Sequence, residues 1–130
     1  MFQQPPELRV FMSQTAPLDR LTGALCDQVT GRDDSGTILK QLERDNLFLV
    51  PLDEHGAWYR YHHLFASYLR TELNEKQRQT VHRRAAQWFE DQGYMGEAIQ
   101  HLLAADEEDG AATLIERIGY TEFQRGGLVT

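Results

Sequence analysis

The sequence is poor in the residues that staple a fold, cross a membrane or grip nucleic acid. Cys26 is the single cysteine in 130 residues. No internal disulfide can form, and a small buried thiol in a reducing cytoplasm is the expected state. Apolar runs are short: Leu47 to Val50 is typical, whereas a membrane helix needs about 20 apolar residues. Met1 to Pro6 lacks the basic region and apolar stretch of a secretory signal. Cationic side chains are scarce, with 13 Lys and Arg against 20 Asp and Glu and a net charge of −7. That balance argues against a chain that wraps nucleic acid by itself, because phosphate neutralisation needs a basic face. No Gly-rich phosphate loop with Lys and Ser/Thr occurs, nor a strand carrying an Asp for magnesium. There is no Gly-x-Ser-x-Gly turn, and Cys26 falls in an apolar stripe, so no hydrolase can be assembled.

What is present is an ordered change of periodicity. Pro5 and Pro6 stand where a helix can start, and Leu8, Phe11 and Met12 follow at helical spacing until Pro17 limits it. Leu21, Leu25 and Val29 form a second stripe, with Thr22 as N-cap and Gly31 as stop. Ser35 is placed to cap a third helix with Ile38, Leu39 and Leu42 inward and Asn46 at its end. Leu47 to Leu52 then reads as a short strand, with Pro51 marking an edge. Asp53 to Gly56 is a turn, and Trp58 to Tyr61 returns. A helix resumes at His62 or His63 with Phe65, Leu69 and Leu73 on one face. Three short helices and one hairpin make a winged helix.

Beyond Asn74 the pattern is helical throughout. Val81, Ala85, Trp88 and Phe89 form one stripe, ended by Gly93; Ala98, Ile99, Leu102 and Leu103 form the next; Ala111, Leu114, Ile115 and Ile118 form the third. Ala85, Ala98 and Ala112 are the small residues that closely stacked helical hairpins need, and Trp88, Phe89 and Tyr94 read as core. The acidic run Asp106 to Asp109 suits a helix start. Gly126 to Thr130 ends on apolar residues without a cap, the expectation being that helical repeats continue and that Leu128 and Val129 favour self-association. The chain is thus expected to be mainly α, a winged-helix domain over residues 5–73 followed by TPR-like helical hairpins over residues 74–130.

Several blocks together resemble one family. They are Leu18 to Gly23 with Cys26, Leu42 to Asp53, Trp58 to Phe65, His82 to Phe89 and Glu97 to His101. In order and spacing, over about Pro5 to Thr121, they are similar to the large LuxR-type regulators of the MalT-like class. The resemblance implies a signal-transduction ATPase: a nucleotide-binding domain, then a winged helix, a helical-repeat sensor arm and a C-terminal DNA reader. On that reading the present segment is the winged helix and the start of the arm. It is non-catalytic and couples nucleotide state to sensor state. Its partners are the upstream nucleotide-binding domain and the arm, and ATP or ADP is held by the full-length protein rather than by this segment. The rival functions are a stand-alone DNA-binding winged helix and a helical scaffold for protein partners.

Tyr61-His62-His63-Leu64, at the handover from hairpin to helix, resembles the Met-His-Asp step of plant immune ATPases. That resemblance implies that His62 contacts the β-phosphate of bound ADP. The acidic residue of the step is replaced here by His63. An imidazole at a helix N-terminus sits in a natural anion site; the plainer alternative is a junction in which the histidines cap the helix and pack on Trp58. No metal site is expected: neighbours on a helix diverge by about 100°, and His55, His82 and His101 have no ligand-like spacing to them or to one another. In the third helix Lys40 and Arg44 are offset by Glu43 and Asp45. Asp33 and Asp34 lie upstream, and Asp53 and Glu54 mark the wing tip, so direct DNA reading is disfavoured. Lys76, Arg78, Arg83 and Arg84 form a basic cluster, expected to pair with Glu72 and Glu75.

Overall fold

Pro6 opens the first helix because its fixed φ suits a first turn and its missing N–H would be unsatisfied there anyway. This helix, α1 (Pro6–Thr15), has Glu7 near its positive dipole end. The computed structural model describes residues 6–45 and 48–124, with side chains to 119. The chain divides into two compact units, Met1–Val81 and His82–Thr130.

In the first unit, α1 buries Phe11, Met12, Ser13 and Thr15. Pro17 forbids continuation, and a turn follows in which Leu18 N–H donates to Thr15 O at 3.1 Å. The second helix, α2 (Gly23–Thr30), is capped as its sequence dictates: Thr22 is extended and its hydroxyl accepts from Leu25 N–H at 3.1 Å. Gly31 ends it at φ 79°, a left-handed turn that glycine adopts without strain. Leu21 does not join this helix. The extended Thr22 takes it off the helix, and it pairs with Tyr59 instead while staying fully buried, Leu21 N–H donating to Tyr59 O at 2.7 Å and Tyr59 N–H to Leu21 O at 2.9 Å.

The third helix, α3 (Ser35–Arg44), buries Leu39 and Leu42. Ser35 is its first residue rather than its cap. Its backbone N–H is taken by Asp27 Oδ1 at 2.9 Å, while its side chain is buried without a hydrogen-bond partner. The strands β1 (Leu49–Pro51) and β2 (Tyr59–Tyr61) pair antiparallel, Leu49 opposite Tyr61 and Pro51 opposite Tyr59. Between them Asp53 Oδ1 accepts from Ala57 N–H at 3.0 Å, and Gly56 turns at φ 68°. Then come α4 (His63–Arg70) and α5 (Glu75–Asp91). The helical face expected through Leu73 stops at Arg70, because residues 71–73 form a turn whose N–H groups bond back to Tyr68, Leu69 and Arg70. A reciprocal box opens α5: Asn74 N–H donates to Gln77 Oε1 at 2.9 Å and Gln77 N–H to Asn74 Oδ1 at 2.7 Å. Three helices, a two-stranded wing and a following helix make the winged-helix arrangement anticipated from the sequence.

In the second unit, α6 (Met95–Ala104) packs along α7 (Glu108–Gln124), with Glu108 and Asp109 in the first turn of α7 as expected. Phe89, Ala85, Ala98, Ala105, Ala111 and Leu114 are buried. Part of the expected stripe faces the other way. Leu103 and Ile115 are 51% and 53% exposed, and Ala111 rather than Ala112 is the buried alanine of α7. The inward arc of α7 is therefore narrower, at i and i+3. Tyr94, just after Gly93 ends the preceding helix at φ 88°, is 42% exposed, and its ring meets that of Phe89 edge to face at 6.0 Å. Pro5, Asn46, Leu47 and Gly126 to Thr130, including Leu128 and Val129, lie outside the described residues.

Close approach of α2 to α3 generates a sharp test. A methyl placed on Gly23 would stand 2.8 Å from Gly36 Cα, a backbone atom, whereas one on Gly36 would lie 4.0 Å from Gly23 Cα. Gly23→Ala is expected to lower stability by roughly 1–3 kcal/mol through overpacking. Gly36→Ala should be neutral, or stabilising by up to about 1 kcal/mol through helix propensity. Urea denaturation of both variants reads the asymmetry; equal effects would contradict the helix contact.

Candidate functional site

The site is built at the junction where β2 hands over to α4. In β2, Tyr59 and Tyr61 alternate inward with Arg60 outward, the period-2 pattern of a strand with one packed face. Tyr61 is anchored beneath the junction: its hydroxyl lies 2.7 Å from Thr15 Oγ1, and Thr15 also donates to Phe11 O at 3.0 Å. Desolvation pushes the Tyr61 phenol far above its ordinary range, so it stays neutral. Phe65 meets the Tyr61 ring edge-on at 6.1 Å and stacks on Phe48 at 4.8 Å. Phe48 holds a left-handed backbone at φ 61° and is 55% exposed. Its carbonyl accepts the His62 N–H at 2.8 Å. A strained residue thus fixes the backbone of the histidine.

His62 is the N-cap of α4. Its Nδ1 accepts from Leu64 N–H at 3.3 Å, and its ring stacks on that of His63 at 4.9 Å. Both histidines are exposed, and Leu64 beside them is 67% exposed. A neutral imidazole that accepts at Nδ1 carries its proton at Nε2. The capping bond thereby sets the tautomer and leaves an N–H donor on an exposed residue at the positive end of a helix. The junction alternative expected from the sequence is met as to capping. The Arg20 guanidinium lies 3.7 Å over the Trp58 ring.

The other candidates fall into place around this site. Cys26 is buried, and desolvation, with Asp27 nearby, raises its thiol well above the usual range, so it is no nucleophile. Lys40 donates to Gly56 O at 3.2 Å, and Glu43 accepts from Tyr59 OH at 2.9 Å. The charged face of α3 is thus engaged in holding the wing. Arg78 pairs with Glu75 as expected, but Arg83 reaches Glu107, and Glu72 pairs with Arg9. The Arg9 hydrogen bond, with help from Ser13, holds the Glu72 carboxyl below its ordinary range. That pair borders an open groove of about 320 Å³ lined by Pro6, Val10, Ser13 and Leu73, among others. Among the described residues no three His, Cys, Asp or Glu side chains gather as a metal site.

Sequence reasoning missed one association. His82 and His101, whose spacing is not ligand-like, meet with Nδ1 atoms 2.9 Å apart, both buried. Their separation of 19 residues is set by the helical turn between them, which no ligand motif encodes. Only the aromatic and alanine pattern of the paired helices could have signalled it.

Comparison with known proteins bears on the whole segment. Residues 1–81 match the model of the MalT winged helix domain. The chain belongs to the MalT winged helix domain family. It is similar to the HTH-type transcriptional regulator MalT of Vibrio cholerae, 32% identical over 125 residues, which is 94% of this chain and 14% of that protein. MalT of Klebsiella pneumoniae is 39% identical over 105 residues, 75% of this chain and 11% of that protein. Serine/threonine-protein kinase PknK of Mycobacterium tuberculosis is 34% identical over 115 residues, 86% of this chain and 10% of that protein. The MalT-type segment therefore spans about a tenth to a seventh of the curated relatives it matches. No helix among its described residues is long and apolar enough to cross a membrane.

Two measurements test the site as built. Cys26 should resist a thiol reagent at pH 8 in the folded chain and react fully in urea; rapid reaction when folded would contradict its burial. Asparagine is among the best N-caps and histidine is not, so His62→Asn should leave the melting temperature unchanged or raise it, by up to about 1 kcal/mol of stability. His62→Gly or His62→Ala should not raise it.

Proposed function

We propose that this segment is a regulatory coupling element of a MalT-like regulator, acting without catalysis of its own. The winged helix docks on an upstream nucleotide-binding domain, His62 donates to the β-phosphate of bound ADP, and the following helices begin a sensor arm. The nucleotide, ATP or ADP, belongs to the intact protein, whose place of action is the cytoplasm. One observation carries the reading: His62 is exposed at the start of α4 with Nδ1 already committed to Leu64 N–H, so its remaining polar atom is a donor suited to an anion. The exposed Leu64 and Phe48 beside it supply the apolar contact a docking domain needs.

The distribution of relatives supports coupling over the rivals. The same segment occurs in proteins named as transcriptional regulators and in one named as a kinase. A segment found in proteins with such different names suits a joint that can serve different outputs better than a reader of one promoter. Direct DNA reading is disfavoured by the engagement of Lys40 and Glu43 with the wing and by the net charge of −7.

In the longer protein with its nucleotide-binding domain in place, His62→Asn should speed ADP release about tenfold, the effect of roughly one charge-assisted hydrogen bond. Unchanged release would remove the histidine contact. A gel-shift titration of the present chain against duplex DNA should show no salt-dependent complex; a steep salt slope would establish the DNA-reader reading instead.

A further inference from the structure

One residue of the winged helix holds a backbone conformation that its own side chain opposes. Among the described residues, Phe48 and Asp106 are the non-glycine residues at positive φ, both at 61°. Asp106 lies just past the end of α6, a place where a short polar side chain tolerates the left-handed region. Phe48 precedes a strand and carries a bulky ring, for which that region is a true outlier. Burial does not offset the cost, since the ring is 55% exposed and stacks on Phe65 at 4.8 Å. What the conformation secures is a hydrogen bond. Phe48 O accepts the His62 N–H at 2.8 Å, one step beyond the Leu49–Tyr61 pair and at the threshold of α4.

We propose that Phe48 is a sprung catch on the start of α4: its left-handed turn aims the carbonyl at His62, and relaxation of that turn frees the His62 backbone from the hairpin. Its use to the protein rests on the reading of His62 as the ADP contact. A carbonyl is aimed by the two dihedrals of its own residue, and leaving the left-handed region changes them. The cost of that region for an L-residue is set against one hydrogen bond and one half-exposed ring stack. Such a contact opens locally, while β2 stays tied to the core through Tyr59 N–H and Leu21 O at 2.9 Å. The His62 cap on Leu64 N–H is built from the same backbone, so the opening also releases the imidazole from its place at the helix end. Phe48 is thus a positioning residue, acting on the nucleotide through His62.

The test varies the backbone cost and leaves the ring out of the comparison. Phe48→Gly and Phe48→Ala both remove the stack on Phe65, but glycine adopts the left-handed region freely and alanine does not. In native-state hydrogen exchange of the 130-residue chain, the His62 amide should exchange about fivefold faster in Phe48→Ala than in Phe48→Gly. In both it should exchange ahead of the Tyr59 amide. A His62 amide that exchanges alike in the two variants, or only together with Tyr59, would overturn the catch, because the strain would then be released only on global unfolding. Should neither variant fold, the wild type decides. Its His62 amide must show an opening in low urea that the Tyr59 amide does not share, and coincident exchange overturns the catch. In the longer protein with its nucleotide-binding domain, Phe48→Ala should also release ADP faster than Phe48→Gly. Equal release with unequal exchange would fault the nucleotide contact and leave the catch standing.

Discussion

Everything in the first unit is referred to a single short strand. Tyr59 and Tyr61 enter the core from the same face of β2, and each is held twice. Tyr59 is bridged through its backbone to Leu21 and through its hydroxyl to Glu43; Tyr61 pairs with Leu49 and shares a hydrogen bond with Thr15. A buried phenol without a partner costs about 1–3 kcal/mol, so these bonds fix the strand's position as well as its register. A slip by one residue would turn Arg60 inward and both tyrosines out. The segments before α2, at the end of α1 and in α3 are thereby tied to Tyr59 and Tyr61 of one strand.

The placement of His62 follows from this constraint rather than from local sequence preference. Histidine is a poor N-cap beside serine or aspartate, and the cap bond of 3.3 Å is long. The position is imposed from upstream by Tyr61 and from across the hairpin by Phe48, which accepts the His62 N–H while holding φ at 61°. Strain at a bulky residue persists only where surroundings over-determine it, and the Phe48–Phe65 stack provides part of that determination. The result is a weak cap, set by its surroundings, on a ring that stays exposed.

The order of elements was legible because each boundary has a local chemical cause: Pro17 and Gly31 as stops, Thr22 as a cap, Pro51 at a strand edge. The winged-helix core could be read from periodicity alone. What failed depended on tertiary partners. Leu21 fits a helical stripe with Leu25 and Val29, yet its backbone groups are claimed by Tyr59. Ser35 has a capping side chain, but Asp27 takes the N–H that defines the helix start. Leu103 and Ile115 satisfy the period of their helices and still face outward. Periodicity describes a face, and only packing decides how wide that face is. The location of the His62 site was readable from residue order, whereas the tautomer that gives it a donor needed the geometry of one capping bond.

The five histidines show how far residue type is from role. His62 and His63 lie exposed and stacked on each other, where the ring's use is decided by what docks against it. His82 and His101 make a similar ring pair, at a centroid distance of 5.1 Å, under an aromatic lid. Burial changes the weight of such a contact, because the low-dielectric interior magnifies a hydrogen bond. One pair therefore faces outward with a donor to offer, and the other faces inward as part of the packed interior. The difference lies wholly in the residues around them. For His62 these include Phe48 and Leu64; for His101 they include Phe89 and His82. Only the second setting makes a histidine contact part of the packing of the unit.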